Sequence, residues 1–443
     1  MSEFPPNFVF GVATSAYQIE GAVEEDGRGP SIWDVFSHTP GKTARGDTGD
    51  VACDHYHRYL DDVQLMKDLG VQSYRFSISW PRIQPEGVGR VNEAGLDFYD
   101  RLIDALLEAG IEPMATLYHW DLPQTLQDRG GWTNRDTAKA FADYADVVFA
   151  RLGGRVPRYI TVNEPWCSAV LGHAFGTHAP GLQDFGATVA AAHHLLLGHG
   201  LAVEAFRGRN LASQIGITNI LTDVLPASSR VEDEEAAARM DVFLNRWFLD
   251  PVFQASYPEE IRALGVDGVV QTGDLERISA PLDFVGVNYY QRQYVAANRE
   301  DPLLRAALLP PRGERTASGW GVEPDGLVRV LQRVTSDYTK LPIYVTESGA
   351  AFADVLEEGV IHDDKRTTYL ERHLQAVLAA SVAGTDVRGY YVWSLLDNFE
   401  WAEGYDKRFG LVYVDYDTQV RIPKDSALWF AGVVGSRTFD RED

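Results

Sequence analysis

The chain of 443 residues is 45% hydrophobic and 11% aromatic, with ample material for a packed core, which excludes disordered and fibrous classes. Its 40 Lys and Arg against 64 Asp and Glu give a formal net charge of −24, a field that repels phosphate backbones and anionic lipid surfaces. Neither nucleic acid nor a membrane is expected as a partner, and the acidic residues are spread along the chain as a solvated surface would have them.

Short apolar runs rich in β-branched and aromatic residues, each followed by turn chemistry and a helical pattern, read as strand–helix units. The first strand is expected over residues 8–15, followed by an amphipathic stretch over 58–69. The second (73–80) leads to a helix over 96–109, the third (111–119) to one over 136–152, and the fourth (159–164) to one over 187–206. The fifth (214–221) is followed by 234–248, and the sixth (283–290) by a long Pro- and Gly-bearing loop over 296–325. The seventh (343–347) precedes a helix over 365–380, and the eighth runs over 387–396. Apolar residues recur at three and four in the helical stretches. Eight such alternations predict an α/β fold, a single (β/α)8 TIM barrel with long βα loops, forming one domain over residues 1–443. A loop as long as 296–325 is usually functional.

On such a barrel the active site lies at the C-terminal ends of the strands. The polar residues there are Gln18, Glu20, Arg75, His119, Asn163, Glu164, Asn288, Tyr290, Glu347 and Glu400. Tyr159-Ile160-Thr161-Val162 ends in Asn163-Glu164-Pro165, and Ile343-Tyr344-Val345-Thr346 ends in Glu347, so two carboxylates are expected to face one pocket. A lone Glu would be read as a helix cap or a surface ion pair. A pair at equivalent barrel positions is what glycoside hydrolysis requires. Trp120, Trp166, Trp393 and Trp401 stand beside these polar groups, where a sugar needs aromatic faces.

These residues carry a resemblance. Gln18-Ile19-Glu20-Gly21, Arg75-Phe76-Ser77-Ile78-Ser79-Trp80, His119-Trp120-Asp121-Leu122-Pro123, Thr161-Val162-Asn163-Glu164-Pro165, Asn288-Tyr289-Tyr290 and Asp397-Asn398-Phe399-Glu400-Trp401 resemble the motifs of glycoside hydrolase family 1, in order and nearly end to end. The resemblance is to its retaining β-glucosidases and β-galactosidases. It implies Glu164 as acid/base, Glu347 as nucleophile, and Arg75 and Tyr290 as partners of the nucleophile. It further implies that Gln18, His119, Asn163, Glu400 and Trp401 bind sugar hydroxyls, that Trp120 and Asn288 also line the substrate site, and that Trp393 is the stacking floor. Phe409 matches a position near the sugar's sixth carbon, and Trp320, inside the long loop, resembles an aromatic platform for the leaving group. A loop anchor is the equal alternative for Trp320. The family has Asn after the nucleophile where this chain has Ser348, a change expected to tune hydrogen bonding around Glu347.

The chemistry sets further expectations. Arg75 and Tyr290 should lower the pKa of Glu347, while burial and the neighbouring charge should raise that of Glu164. The carboxyl groups should stand about 5 to 5.5 Å apart, as in retaining enzymes. The implied substrate is a small-molecule β-glycoside, a cello-oligosaccharide or an aryl or alkyl β-glucoside. Glucose, galactose and fucose all fit the polar set, and the sequence does not speak to oligomeric state. A phosphorylated sixth carbon, the substrate of a related branch, would be repelled by Glu400, with Lys407 as the feature that speaks for it. A non-catalytic sugar-binding barrel would lack one of the two carboxylates, and a metal-dependent aldolase or isomerase would place Lys or a His/Asp set at the strand ends.

The remaining signals are bland. His55-Tyr56-His57 and His193-His194 have no third ligand at metal spacing, so neither a metal nor a cofactor is expected. Gly153-Gly154 reads as a helix end, not a phosphate loop. Cys53 and Cys167 are too few for a disulfide framework and read as reduced, structural thiols. The start, Met-Ser-Glu-Phe-Pro-Pro-Asn, has no basic or apolar leader pattern, and a cytoplasmic protein is expected.

Overall fold

Eight parallel strands close into a barrel in the computed structural model, which describes residues 3–439. They are β1 (Val9–Ala13), β2 (Ser73–Ser77), β3 (Glu112–Tyr118), β4 (Arg158–Asn163), β5 (Gln214–Ile220), β6 (Phe284–Asn288), β7 (Ile343–Ser348) and β8 (Val387–Trp393). Closure comes from β1, which pairs with β2 on one side and places Val9 opposite Gly389 of β8 on the other. Each strand falls where the apolar pattern placed it. The clearest overruns, at Ser15, Trp80, Tyr290 and Leu396, are buried residues just beyond strand ends, where roofing loops keep the apolar pattern going.

Eight main helices surround the barrel: α1 (His55–Asp68), α2 (Glu93–Glu108), α3 (Asp136–Leu152), α4 (Phe185–Gly208), α5 (Val231–Asp241), α6 (Pro324–Arg333), α7 (Asp364–Val382) and α8 (Asp425–Ser436). Their apolar stripes make the core; α2 buries Leu96, Tyr99, Leu102, Ile103 and Leu106 at helical spacing. α3 stops at Leu152, with Gly153 at φ 23°, a helix end as its glycines indicated. The stretch expected as one helix over 234–248 is instead α5, a wider turn over Val242–Arg246, and a helix over Trp247–Gln254.

A separate cluster fills the barrel itself: Ala13, Met114, Ile160, Phe284, Tyr344 and Tyr391 point inward. The guanidinium of Arg158 lies 4.7 Å from the Tyr344 ring centre, so the cluster is capped by charge from below. Above it the interior turns polar, and the site is built there.

The loop expected over 296–325 is partly ordered into strands. Arg292–Ala297 and Ala306–Leu309 form an antiparallel hairpin that pairs in parallel with Asp223–Pro226. Flanking prolines obscured the apolar run Ala306-Ala307-Leu308-Leu309. The hairpin connection is held by Asp301, whose Oδ1 accepts from the backbone N–H groups of Leu303, Leu304 and Arg305.

Candidate active site

Both site carboxylates follow an irregularity in their strands. On β4, Ile160 pairs with Gly216 and Asn163 with Thr218, so β4 carries one residue more than β5 between the two pairs. On β7, Val345 pairs with Val287 and Glu347 with Asn288, which leaves Thr346 as the extra residue. Such bulges re-aim side chains. Here the consecutive residues Thr346 and Glu347 both reach the polar centre, which strict alternation would forbid. Glu164 then sits at φ 45°, in the left-handed region that a non-glycine residue occupies only when its surroundings hold it there.

Glu347 is gripped on both oxygens. Arg75 Nη1 donates to Oε1 at 2.6 Å and Tyr290 Oη donates to Oε2 at 2.7 Å. The Arg75 fork also donates to the Thr346 carbonyl at 2.9 Å and to Asn163 Oδ1 at 2.7 Å, with Nε on Thr116 Oγ1. A guanidinium only donates, so the orientation of the Asn163 amide follows: Oδ1 faces Arg75, and Nδ2 faces His119 Nε2 at 3.0 Å. Burial and the Arg75 charge hold His119 well below the ordinary imidazole range, so it is neutral.

Glu164 has a different shell, with no cation on it. Asn288 Nδ2 donates to Oε1 at 2.6 Å, and Cys167 Sγ donates to Oε2 at 3.1 Å. Thr346 Oγ1 donates to Asn288 Oδ1 at 2.7 Å and so secures that amide. The thiol was expected to be plain packing; the structure puts it on the acid/base candidate. Proximity of only three residues in sequence was the available signal.

These shells separate the two carboxyls electrostatically. Burial and the neighbouring Glu347 charge push Glu164 up to about 8. Burial also raises Glu347, against the downward pull of Arg75, Tyr290 and Asn288. The expectation that Glu347 lies below the ordinary range is therefore corrected, because desolvation outweighs its partners. The expected order of the pair survives: Glu347 has a cation and a phenol to hold its charge, and Glu164 takes the proton. Tyr290 itself is kept protonated by burial beside Glu347.

The residues expected to bind sugar gather around this pair. Gln18 is held by Ser15 and donates to Asn398 Oδ1 and the Phe399 carbonyl, with Glu400 Oε2 at 3.5 Å. Glu400 is pushed up to about 8 by burial and the Glu347 charge, so the fixed negative charge expected to repel a phosphate is largely neutralised at neutral pH. Lys407 is turned toward Glu403, 3.9 Å away. Trp401 stacks 5.9 Å from His119 and packs 4.5 Å from Trp120, and Trp393 lies 5.8 Å from His119. The Trp120 indole N–H is spent on the Asn163 carbonyl, so this residue offers a ring and not a donor. Trp320 packs 5.3 Å from the Tyr290 ring and 5.9 Å from that of Phe409, which places the long loop over the phenol that donates to Glu347.

Other expectations resolve as framework. Glu20, expected at a strand end, instead follows the short helix Ala16–Ile19 beyond β1 and is paired with Arg82 and Tyr99. Trp166 donates to the Phe243 carbonyl. His55 binds Asp62, His57 binds Asp54 and Glu25, His193 binds Asp274, and His194 binds the Trp132 carbonyl, so each histidine of the two pairs has its own partner. Ser348 points away from the carboxylates, with Oγ 3.4 Å from Tyr369 Oη on α7. Gly349 is required beside it, because a Cβ there would stand 1.8 Å from the Trp393 carbonyl oxygen.

Known proteins resemble this chain over nearly its whole length. Residues 1–439 match the family model described as glycosyl hydrolase family 1. Beta-glucosidase A of Acetivibrio thermocellus is 49% identical over 98% of this chain and 99% of its own. A protein named 1,4-beta-D-glucan glucohydrolase from Thermotoga neapolitana is 48% identical over 98% of each. The solved Thermotoga maritima family 1 glycoside hydrolase in complex with a cyclophellitol analogue transition state mimic superposes with a TM-score of 0.97, at 48% identity over 99% of both chains. With a closed eight-stranded barrel, a carboxylate at the ends of β4 and β7, and these relatives in common, the chain belongs to glycosyl hydrolase family 1.

Proposed function

We propose that this chain is a retaining β-glucosidase that removes terminal β-D-glucosyl residues from cello-oligosaccharides and from aryl or alkyl β-glucosides. The observation that carries the reading is the unequal pair of buried carboxyls: Glu347 between a cation and a phenol, Glu164 with neither. In the first step Glu347 attacks the anomeric carbon as the glycosidic bond breaks, and Glu164 gives its proton to the leaving oxygen. The covalent ester removes the Glu347 charge, which lowers the proton affinity of Glu164. Glu164 then takes a proton from water, whose oxygen bonds the anomeric carbon as the ester opens.

Asn163, His119, Gln18, Glu400 and Trp401 are the hydroxyl binders in this reading, with Asn288 aligning Glu164 and Trp393 as the floor. Trp120 and Phe409 shape the walls, and Trp320 meets the aglycone. Residues 1–443 act as one domain. Two unpaired, buried thiols support a reducing cytoplasm as the place of action and intracellular breakdown of cellulose fragments as the role. Among the described residues no helix is long and apolar enough to cross a membrane. Fucosides and galactosides are the second reading, because the same amides and carboxyls can face an axial hydroxyl.

The test is nitrophenol release from aryl β-glucoside, β-galactoside and 6-phospho-β-glucoside by wild type and Glu347→Ala, with and without azide. Fast turnover of the glucoside, lost in the variant and restored by azide with formation of the α-glucosyl azide, is expected. Turnover of none of the three overturns the reading.

A further inference from the structure

The two oxygens of Glu164 are not equivalent. Arg75 can only donate, so Asn163 must present Oδ1 to it, and Asn288 Nδ2 lies 3.1 Å from that same oxygen. Asn288 is thereby compelled to turn its amide nitrogen inward, and Thr346 secures the other end by donating to Oδ1. The result is a permanent donor 2.6 Å from Glu164 Oε1. An oxygen facing a group that can only donate is a poor seat for a proton. Oε2 faces the thiol of Cys167 instead, at 3.1 Å. A thiol differs from an amide N–H because it donates weakly to a carboxylate and can rotate its hydrogen away when the oxygen is protonated. Burial beside Glu164 keeps this thiol protonated, so it serves as a neutral neighbour and not as a nucleophile.

We propose that Cys167 is a positioning residue of the acid/base step, reserving Glu164 Oε2 as the oxygen that releases and recovers the proton. The inference rests on the retaining glycosidase reading and deepens it. In the first step the Oε2–H bond breaks as the leaving oxygen gains that proton, and Glu347 bonds the anomeric carbon. In the second, water gives its proton to Oε2 and its oxygen to the anomeric carbon, and the Glu347 ester bond breaks. Cys167 adjusts to both states by turning one hydrogen, while Asn288 keeps Oε1 as an acceptor throughout.

The experiment compares Cys167→Ala and Cys167→Ser with wild type by two readouts. The first is titration of the isotope-labelled Glu164 carboxyl by NMR, its resonance identified by its loss in Glu164→Gln. Removing a donor to the carboxylate disfavours the ionised form, so Cys167→Ala should raise the midpoint by about half a unit, and Cys167→Ser should return it to or below the wild-type value. The second is turnover of a dinitrophenyl β-glucoside, whose leaving group needs no proton, against an alkyl β-glucoside, whose leaving group does. Cys167→Ala should slow the alkyl glucoside about three- to tenfold more than the dinitrophenyl one, and Cys167→Ser should narrow the gap. An unmoved midpoint, or equal losses on both substrates, overturns the role of Cys167. No wild-type turnover of either glucoside overturns the glucosidase reading instead, and the titration still decides on Cys167.

Discussion

Arg75 and Glu347 form an ion pair of 2.6 Å with side-chain exposures of 1% and 4%, on strands that are not neighbours in the barrel. The pair spans the interior, and the remaining arms of the guanidinium orient Asn163 and the Thr346 carbonyl. One side chain thus sets the charge state of Glu347 and the amide geometry around Glu164.

Arg75→Lys keeps the charge but loses the fork, because an ammonium cannot reach Glu347, Asn163 and Thr346 from one plane. Breaking a buried charged arrangement of this kind costs roughly 3–5 kcal/mol. The expected outcome is a fall in kcat/KM of at least about a hundredfold, by the free-energy relation for rates. Retention of more than a tenth of wild-type kcat/KM would count against the fork.

On the retaining reading, activity needs Glu164 protonated and Glu347 ionised, so it should be lost as pH rises through about 8, where Glu164 gives up its proton. The same shift affects stability. The folded state binds a proton on Glu164 that the unfolded state has already released above its ordinary range, so stability falls as pH rises toward about 8. Glu164→Gln removes that penalty. Its thermal midpoint relative to wild type should climb steadily between about pH 5 and pH 8. A difference independent of pH across this window would show that the Glu164 proton is not the cause.

Gly349 packs against β8 with no room for a methyl group, since a Cβ would lie 1.8 Å from the Trp393 carbonyl oxygen. Gly349→Ala should push β7 and Trp393 apart, costing about 1–3 kcal/mol by overpacking and displacing Glu347 with it. Denaturant unfolding together with the rate of aryl glucoside hydrolysis tests this, and a variant of wild-type stability would refute the close approach.

Ser348 faces Tyr369, away from Glu347 and its partners. Ser348→Ala is therefore expected to leave kcat within about twofold of wild type and to lower stability by about 0.5–1.5 kcal/mol, the worth of one ordinary hydrogen bond. A large loss of kcat without a change in stability would reverse that assignment.

Trp320 packs on Tyr290 and Phe409 from a loop above the barrel. If its free face meets the aglycone, Trp320→Ala should raise KM for cellobiose severalfold, by loss of stacking worth about 1 kcal/mol, and leave inhibition by glucose nearly unchanged. Equal effects on both ligands would favour the loop-anchor role.

Much of this was legible in the chain. Eight apolar runs separated by helical stretches imply a barrel because parallel strands buried on both faces must alternate with helices, and the polar residues at the run ends then have one place to go. Glu164, Glu347, Arg75, Tyr290 and Asn288 were all found that way, and the structure brings them within one hydrogen-bonded cluster. Glu20 illustrates the limit, since a short helix over Ala16–Ile19 intervenes after β1 and its carboxylate turns to Arg82 and Tyr99. The short strand Ala306–Leu309 was hidden by prolines, because edge pairing depends on a partner elsewhere in the chain.

By itself, the sequence determined the barrel, the family and the identity of the carboxylate pair, because periodicity and motif order are local properties of a chain. The tertiary structure decided which way the consecutive residues Thr346 and Glu347 point, through bulges that no local pattern reports. It decided the balance of charge as well, since the net rise of Glu347 depends on how completely water is excluded and not on which residues are present. It also placed the Cys167 thiol on the carboxyl of Glu164, three residues away in sequence, with Glu164 itself in the left-handed region.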